Sequence, residues 1–168
     1  VVSAQIMWQL RLPKMLTAIL AGVGLSVSGA LMQTLFRNPL AGPSILGVSS
    51  GATFGVSLVT MMGSLIGFHA TNTAIVLAAI VGAFGVLMIV LSVSFRVKSN
   101  VSLLIVGMMI GSLASALVSV IQNYSNPDAL KLFVVWTLGS LSSVGWKEMC
   151  VMAPVILLGI IIFLLIFP

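Results

Sequence analysis

Thr73 to Phe95 reads TAIVLAAIVGAFGVLMIVLSVSF, an uncharged run of 23 residues. About 20 apolar residues in a helix span the hydrocarbon core of a bilayer, so this run is long enough to cross. Four more runs, over 15–36, 44–66, 101–122 and 149–167, qualify or nearly qualify. The breaks between them are polar or helix-stopping. Arg37, Asn38, Pro39, Gly42 and Pro43 separate the first pair, and Gly67, His69 and Asn72 the second. Arg96, Lys98, Ser99 and Asn100 separate the third pair, and a longer gap runs from Asn123 to Glu148. The fold class expected is all-α, a polytopic transmembrane bundle of about five spans plus one short interfacial helix.

Composition agrees. Of 168 residues, 60% are hydrophobic and 5% are charged, against roughly 25% charged in a soluble domain. Such a chain cannot cover a water-facing surface, and membrane lipid removes the need for one. The net charge of +5 comes from seven scattered basic residues against two acidic ones. Nucleic-acid binding needs clustered cations, so no nucleic-acid partner is expected. Cys150 is alone and forms no intramolecular disulfide. The chain starts at Val1 without a basic stretch leading into an apolar one, which reads as a fragment and not as a secretory signal.

Inside the long gap, Asn126 suits a helix cap, Pro127 the first position and Asp128 the positive end. Ala129 to Leu138 then reads as a short helix stopped by Gly139, too short to span. Trp136 and Trp146 are expected at headgroup depth.

Small residues recur every four positions: Ala18, Gly22, Ser26 and Ala30; Gly47, Gly51 and Gly55; Gly107, Gly111 and Ser115. Positions four apart share a helix face, and small faces let membrane helices approach closely. Gly22, Ser26, Gly47, Gly51, Gly55, Gly107 and Gly111 are therefore the expected helix-packing positions.

Little reads as chemistry. Gly47-Val48-Ser49-Ser50-Gly51 matches the nucleophile elbow G-x-S-x-G, but that motif needs a strand-to-helix turn with a His and an acid nearby. Here it is expected inside an apolar helix, far from His69. One His, one Cys, one Asp and one Glu, well separated, make no metal site. No phosphate-binding P-loop pattern occurs. No catalytic residue, cofactor or metal is expected, and ATP is not expected to bind this chain. Basic residues split four against three between the two sides, so charge bias does not orient the chain.

The first 52 residues carry a resemblance. Arg11-Leu12-Pro13-Lys14, Ser28-Gly29-Ala30-Leu31-Met32-Gln33, Arg37-Asn38-Pro39-Leu40-Ala41, Pro43 and Leu46-Gly47-Val48-Ser49-Ser50-Gly51-Ala52 resemble, at these spacings, the FecCD-type permeases. A weaker match covers Leu103–Gly111 and Trp136-Thr137-Leu138-Gly139-Ser140. These permeases serve importers of ferric siderophores, haem, cobalamin and oxyanions such as molybdate. The resemblance implies that residues 1–168 are one transmembrane permease region, roughly helices two to six of a ten-helix fold. It implies a bacterial inner membrane and alternating access driven by separate ATP-binding cassette subunits. The implied partners are those ATPases, a periplasmic or lipoprotein substrate-binding protein, and a second permease subunit.

By the same resemblance, Arg11 and Lys14 match the external basic pair that meets acidic residues of the binding protein, with Lys14 where the family usually has Arg. Lysine keeps the charge and loses the bidentate fork; interfacial snorkelling is the plain alternative. Asn38 and Leu40 match residues that narrow the cytoplasmic end of the pathway, with a structural turn as the alternative. Asn100 and Val101 fall at a second cytoplasmic constriction, often Thr-Ser in the family. Gln33 and Gln122 read as pathway-lining, interhelical or interfacial. The rival functional class is an ion- or proton-coupled secondary transporter, which usually needs intramembrane ionisable residues or broken-helix ion sites. A membrane hydrolase built on Gly47–Gly51 is a more distant rival.

Overall fold

The computed structural model describes residues 5–65, 67, 70–97, 99–141 and 144–166. His69, Lys98 and the start at Val1 lie outside the described residues. Among the described residues, five helices are long and apolar enough to cross a membrane: α1 (Met7–Phe36), α2 (Val48–Leu65), α3 (Asn72–Ser94), α4 (Asn100–Asn123) and, after the short α5 (Pro127–Thr137), α6 (Trp146–Ile166). The expected all-α architecture, five spans and one short helix, is what the chain forms.

Three boundaries differ from the sequence reading. α1 starts at Met7, eight residues before the expected 15, and runs through Pro13. A π-helical turn over Met7–Arg11, closed by the Leu12 N–H on the Met7 carbonyl, precedes the proline. A proline supplies no N–H and crowds the preceding turn, and a wider π-turn relaxes that crowding. α2 starts at Val48 instead of 44, because Pro43–Leu46 form a 3-10 turn and Gly47 is left-handed at φ 76°. α6 starts at Trp146, three residues early, where Glu148 Oε2 accepts from the Gly145 N–H at 2.9 Å. That bond satisfies a donor the helix start leaves open.

The contacts divide the chain into two compact units, residues 1–32 with 140–168 and residues 33–139. In the first, Gly24 of α1 faces Ile156 of α6, and the Trp146 indole donates to the Trp8 carbonyl at 2.8 Å. In the second, α2 packs on α3 and α4, and α5 lies against the π-helical turn Leu58–Met62 of α2. Its core is Val56, Met61, Ile75, Val118, Ala129 and Phe133.

The short helix forms as expected. Asn126 Oδ1 accepts from the Ala129 N–H at 2.8 Å, Pro127 holds the first position, and Gly139 ends the segment at φ 72°.

Candidate functional site

The second unit is joined by glycine contacts. A Cβ on Gly51 or Gly55 would run into the carbonyls of Gly82 and Ala78, and one on Gly82 into that of Gly51. A Cβ on Gly107 would lie 2.9 Å from the Leu46 Cα, and one on Gly47 would lie 2.8 Å from the Gly107 carbonyl oxygen. Ser115 continues this seam, donating to Ser50 Oγ at 3.4 Å. Positions four apart drift by about 40° per step around a helix. The drift is small enough that Gly51 and Gly55 both face α3, while Gly47, in the left-handed turn before α2, faces α4. Two of the three small-residue rows thus lie at helix contacts.

The first row stands at the surface of its unit. Ala18, Gly22, Ser26 and Ala30 are all exposed, no atom lies within 4 Å of where a Gly22 Cβ would stand, and Ser26 Oγ donates back to the Gly22 carbonyl at 2.8 Å. Sequence reading missed the Ala78–Gly82 face of α3. The signal was present, since those two residues are also four apart.

The polar turn after α1 is held by a set of backbone and side-chain hydrogen bonds. The Asn38 N–H donates to the Gln33 carbonyl at 3.1 Å and the Arg37 N–H to the Thr34 carbonyl at 3.3 Å. This is a Schellman stop, which places its turning residue in the left-handed region. Arg37 stands there at φ 49°, the sole non-glycine residue with positive φ among the described residues. Asn38 Oδ1 accepts from the Leu40 N–H at 2.9 Å, and the Ala41 N–H donates to the Asn38 carbonyl at 3.0 Å. Gln33 Nε2 reaches over the turn to the Pro39 carbonyl at 3.0 Å.

Asn100, the first residue of α4, joins this cluster. Its Nδ2 donates to the Leu35 carbonyl at 2.8 Å. Asn38, Leu40 and Asn100, separated by some 60 positions in sequence, are therefore brought to one end of the unit. The structure links Val101 to the cluster by sequence adjacency alone, and its side chain is exposed. Leu40 projects at 88% exposure, while the next residue, Ala41, is 2% exposed. Gln33 was legible only as a polar residue near a span end.

In the first unit, Arg11 closes the π-turn and is exposed, and Lys14 is half-buried. Arg11 lines a cavity of about 370 Å³ with Met7, Trp8, Leu12 and Met15. Residues three apart lie on one helix face.

The G-x-S-x-G segment straddles the start of α2 and does not lie within it, because Gly47 turns left-handed before the helix. A 3-10 turn precedes it where a nucleophile elbow requires a strand. Ser50 Oγ is engaged by Ser115, and Ser49 offers its carbonyl to Thr53. Among the described residues, no group of three or more His, Cys, Asp or Glu stands close enough to hold a metal.

An all-α chain of five membrane-length helices with glycine-lined contacts defines a polytopic membrane protein. The particular kind follows from its relatives. The model of the FecCD transport family matches residues 1–168. The chain is 40% identical over 152 residues to the molybdate import system permease protein MolB of Haemophilus influenzae, covering 88% of this chain and 43% of that protein. It is 37% identical over 153 residues to the vitamin B12 import system permease protein BtuC of Escherichia coli, covering 89% and 46%. A solved inward-facing conformation of a metal-chelate type ABC transporter superposes with a TM-score of 0.84 at 36% identity, over 94% of this chain and 49% of that one. The chain belongs to the FecCD transport family, and it spans about half the length of the relatives it matches.

Proposed function

We propose that this chain forms about half of the permease subunit of a binding-protein-dependent ABC importer in a bacterial inner membrane. The observation that carries the reading is the family match over residues 1–168. The likeness to a metal-chelate type transporter at TM-score 0.84 supports it. The same likeness favours a metal chelate of the iron-siderophore, haem or cobalamin kind as cargo. Two relatives are named for different cargoes, molybdate and vitamin B12, so family membership does not choose among cargoes.

Residues 1–168 act as one permease region, corresponding to helices two to six of a ten-helix subunit. ATP is hydrolysed by separate cassette subunits, a second permease subunit completes the pathway, and a substrate-binding protein delivers the cargo. Arg11 and Lys14 receive that protein, with Arg11 the more accessible of the two. Asn38, Leu40, Asn100 and Val101 narrow the cytoplasmic end. The hydrogen bonds of Gln33 to Pro39, of the Leu40 N–H to Asn38 and of Asn100 to Leu35 gather these residues at one end of the unit and support this role. Irregular polar backbone at membrane depth is tolerated inside protein or beside water, and the Asn38 and Pro39 carbonyls of this turn are paired within the protein while the Leu40 side chain is exposed.

The test is uptake into proteoliposomes by the full permease with its ATPase and binding protein. Uptake that requires both ATP and the binding protein is expected. Uptake driven by a proton gradient without ATP would reject the reading in favour of a secondary transporter.

A further inference from the structure

The carbonyls of the last turn of α1 lack partners within the helix, and three of them find donors beyond it. Asn38 and Arg37 supply the donors for Gln33 and Thr34, and Asn100 supplies the donor for Leu35. One more carbonyl, that of Pro39, lies beyond the stop and accepts from the Gln33 side chain at 3.0 Å. Gln33 therefore acts twice. Its backbone oxygen receives the Asn38 N–H and its amide nitrogen donates to the Pro39 carbonyl, so it holds the Asn38-Pro39 step at both ends. Arg37 is the weak point of this turn, since a left-handed non-glycine residue is held there only by its surroundings. With the Gln33 side-chain bond removed, the Pro39 carbonyl loses its tie to α1, and the segment carrying Leu40 is left anchored by the Asn38 N–H bond to the Gln33 carbonyl and by buried Ala41.

We propose that Gln33 is the positioning residue of the inward constriction: its side-chain amide ties Pro39 back to α1, so that Leu40 moves with that helix as a rigid extension. The proposal rests on the reading of Leu40 as a narrowing residue. Gln33 itself touches no cargo in this account. It acts through Pro39 and Leu40.

The experiment uses the assembled importer with its native cysteines, Cys150 among them, replaced by serine and with Leu40→Cys as reporter. The rate of labelling by a charged, water-soluble maleimide applied from the ATPase side is measured with residue 33 varied. Gln33→Met keeps length and loses the donor. Gln33→Lys keeps a donor that a helix C-terminus favours. Loss of one such bond is expected to speed labelling about fivefold in Gln33→Met, with Gln33→Lys within about twofold of the parent. An unchanged rate in Gln33→Met overturns the proposal. So does an equal acceleration in Gln33→Lys, which would assign the effect to side-chain shape. Should Gln33→Met fail to assemble, Gln33→Glu, which also lacks the donor, carries the same expectation. A second arm compares nucleotide-free and nucleotide-bound ATPase. A labelling rate at the Leu40→Cys reporter that is indifferent to nucleotide removes the constriction reading, whatever residue 33 does. A rate that responds to nucleotide and ignores residue 33 removes only the role of Gln33.

Discussion

Asn100 Nδ2 lies 2.8 Å from the carbonyl oxygen of Leu35 and donates to it, joining the first residue of α4 to the last turn of α1. The bond meets a need of the helix end. The Schellman stop satisfies Gln33 and Thr34, and Leu35 is the next carbonyl in line. A side chain 65 positions away supplies what the local backbone cannot.

Asn100→Ala should therefore lower stability by about 1 kcal/mol, the net worth of such a bond between membrane helices. Asn100→Asp should cost more, because a carboxylate sets an acceptor against an acceptor. Unfolding of the purified permease in a detergent–denaturant titration measures both. Equal midpoints for Asn100→Ala and the parent would show the bond to be idle.

Two glycines of α3, three residues apart, should behave oppositely. A Gly82 Cβ runs into the Gly51 carbonyl, whereas nothing lies within 4 Å of where a Gly85 Cβ would stand. Gly82→Ala should cost about 2 kcal/mol or more by forcing α2 and α3 apart. Gly85→Ala should be neutral or stabilising by up to about 1 kcal/mol, since alanine is the better helix former. The same titration gives both values, and the sign of the difference is the check.

Arg37 offers a stabilising substitution. Its φ of 49° costs an L-residue roughly 1 kcal/mol. Arg37→Gly should raise stability by up to about that amount, less the added chain entropy of glycine. Arg37→Val should lower it, because a β-branched side chain fits the left-handed region poorly. If Arg37→Gly and Arg37→Val shift the midpoint in the same direction, the strain at this position is not what sets the turn.

The proposed docking pair is tested by charge reversal. Arg11 is exposed and Lys14 half-buried, so Arg11→Glu should weaken binding-protein affinity more than Lys14→Glu, each by roughly tenfold at low salt. Most of the loss should lie in the association rate and shrink as salt rises. Surface-captured permease with binding protein in flow measures both rates. Affinity unchanged in both variants would return the pair to ordinary interfacial anchoring.

The spans were legible because crossing lipid is a matter of length and apolarity, and each residue contributes on its own. Thr73–Phe95 declares α3 to within a residue at each end. The cap of α5 was legible for a like reason. Asn126, Pro127 and Asp128 act on backbone groups within three residues of themselves. The start of α1 was misplaced, since Arg11, Pro13 and Lys14 look like a boundary and a π-turn carries the helix through them. The glycine rows announced close contact without naming partners. Gly51 meets Gly82 and Gly47 meets Gly107 because of how the helices are arranged in space, and row spacing contains no such information.

The same division holds at the turn after α1. The sequence alone determined that a helix ends near Arg37, since Asn-Pro followed by Gly42-Pro43 strongly disfavours its continuation, and that five apolar stretches need a membrane. Only the tertiary structure decided that Asn100 closes the Leu35 carbonyl, that Gln33 bridges to Pro39, and that Leu40 stands exposed between them. Apolarity and turn chemistry are sums over neighbouring residues. A hydrogen bond across 65 positions exists only once two helices have been brought together.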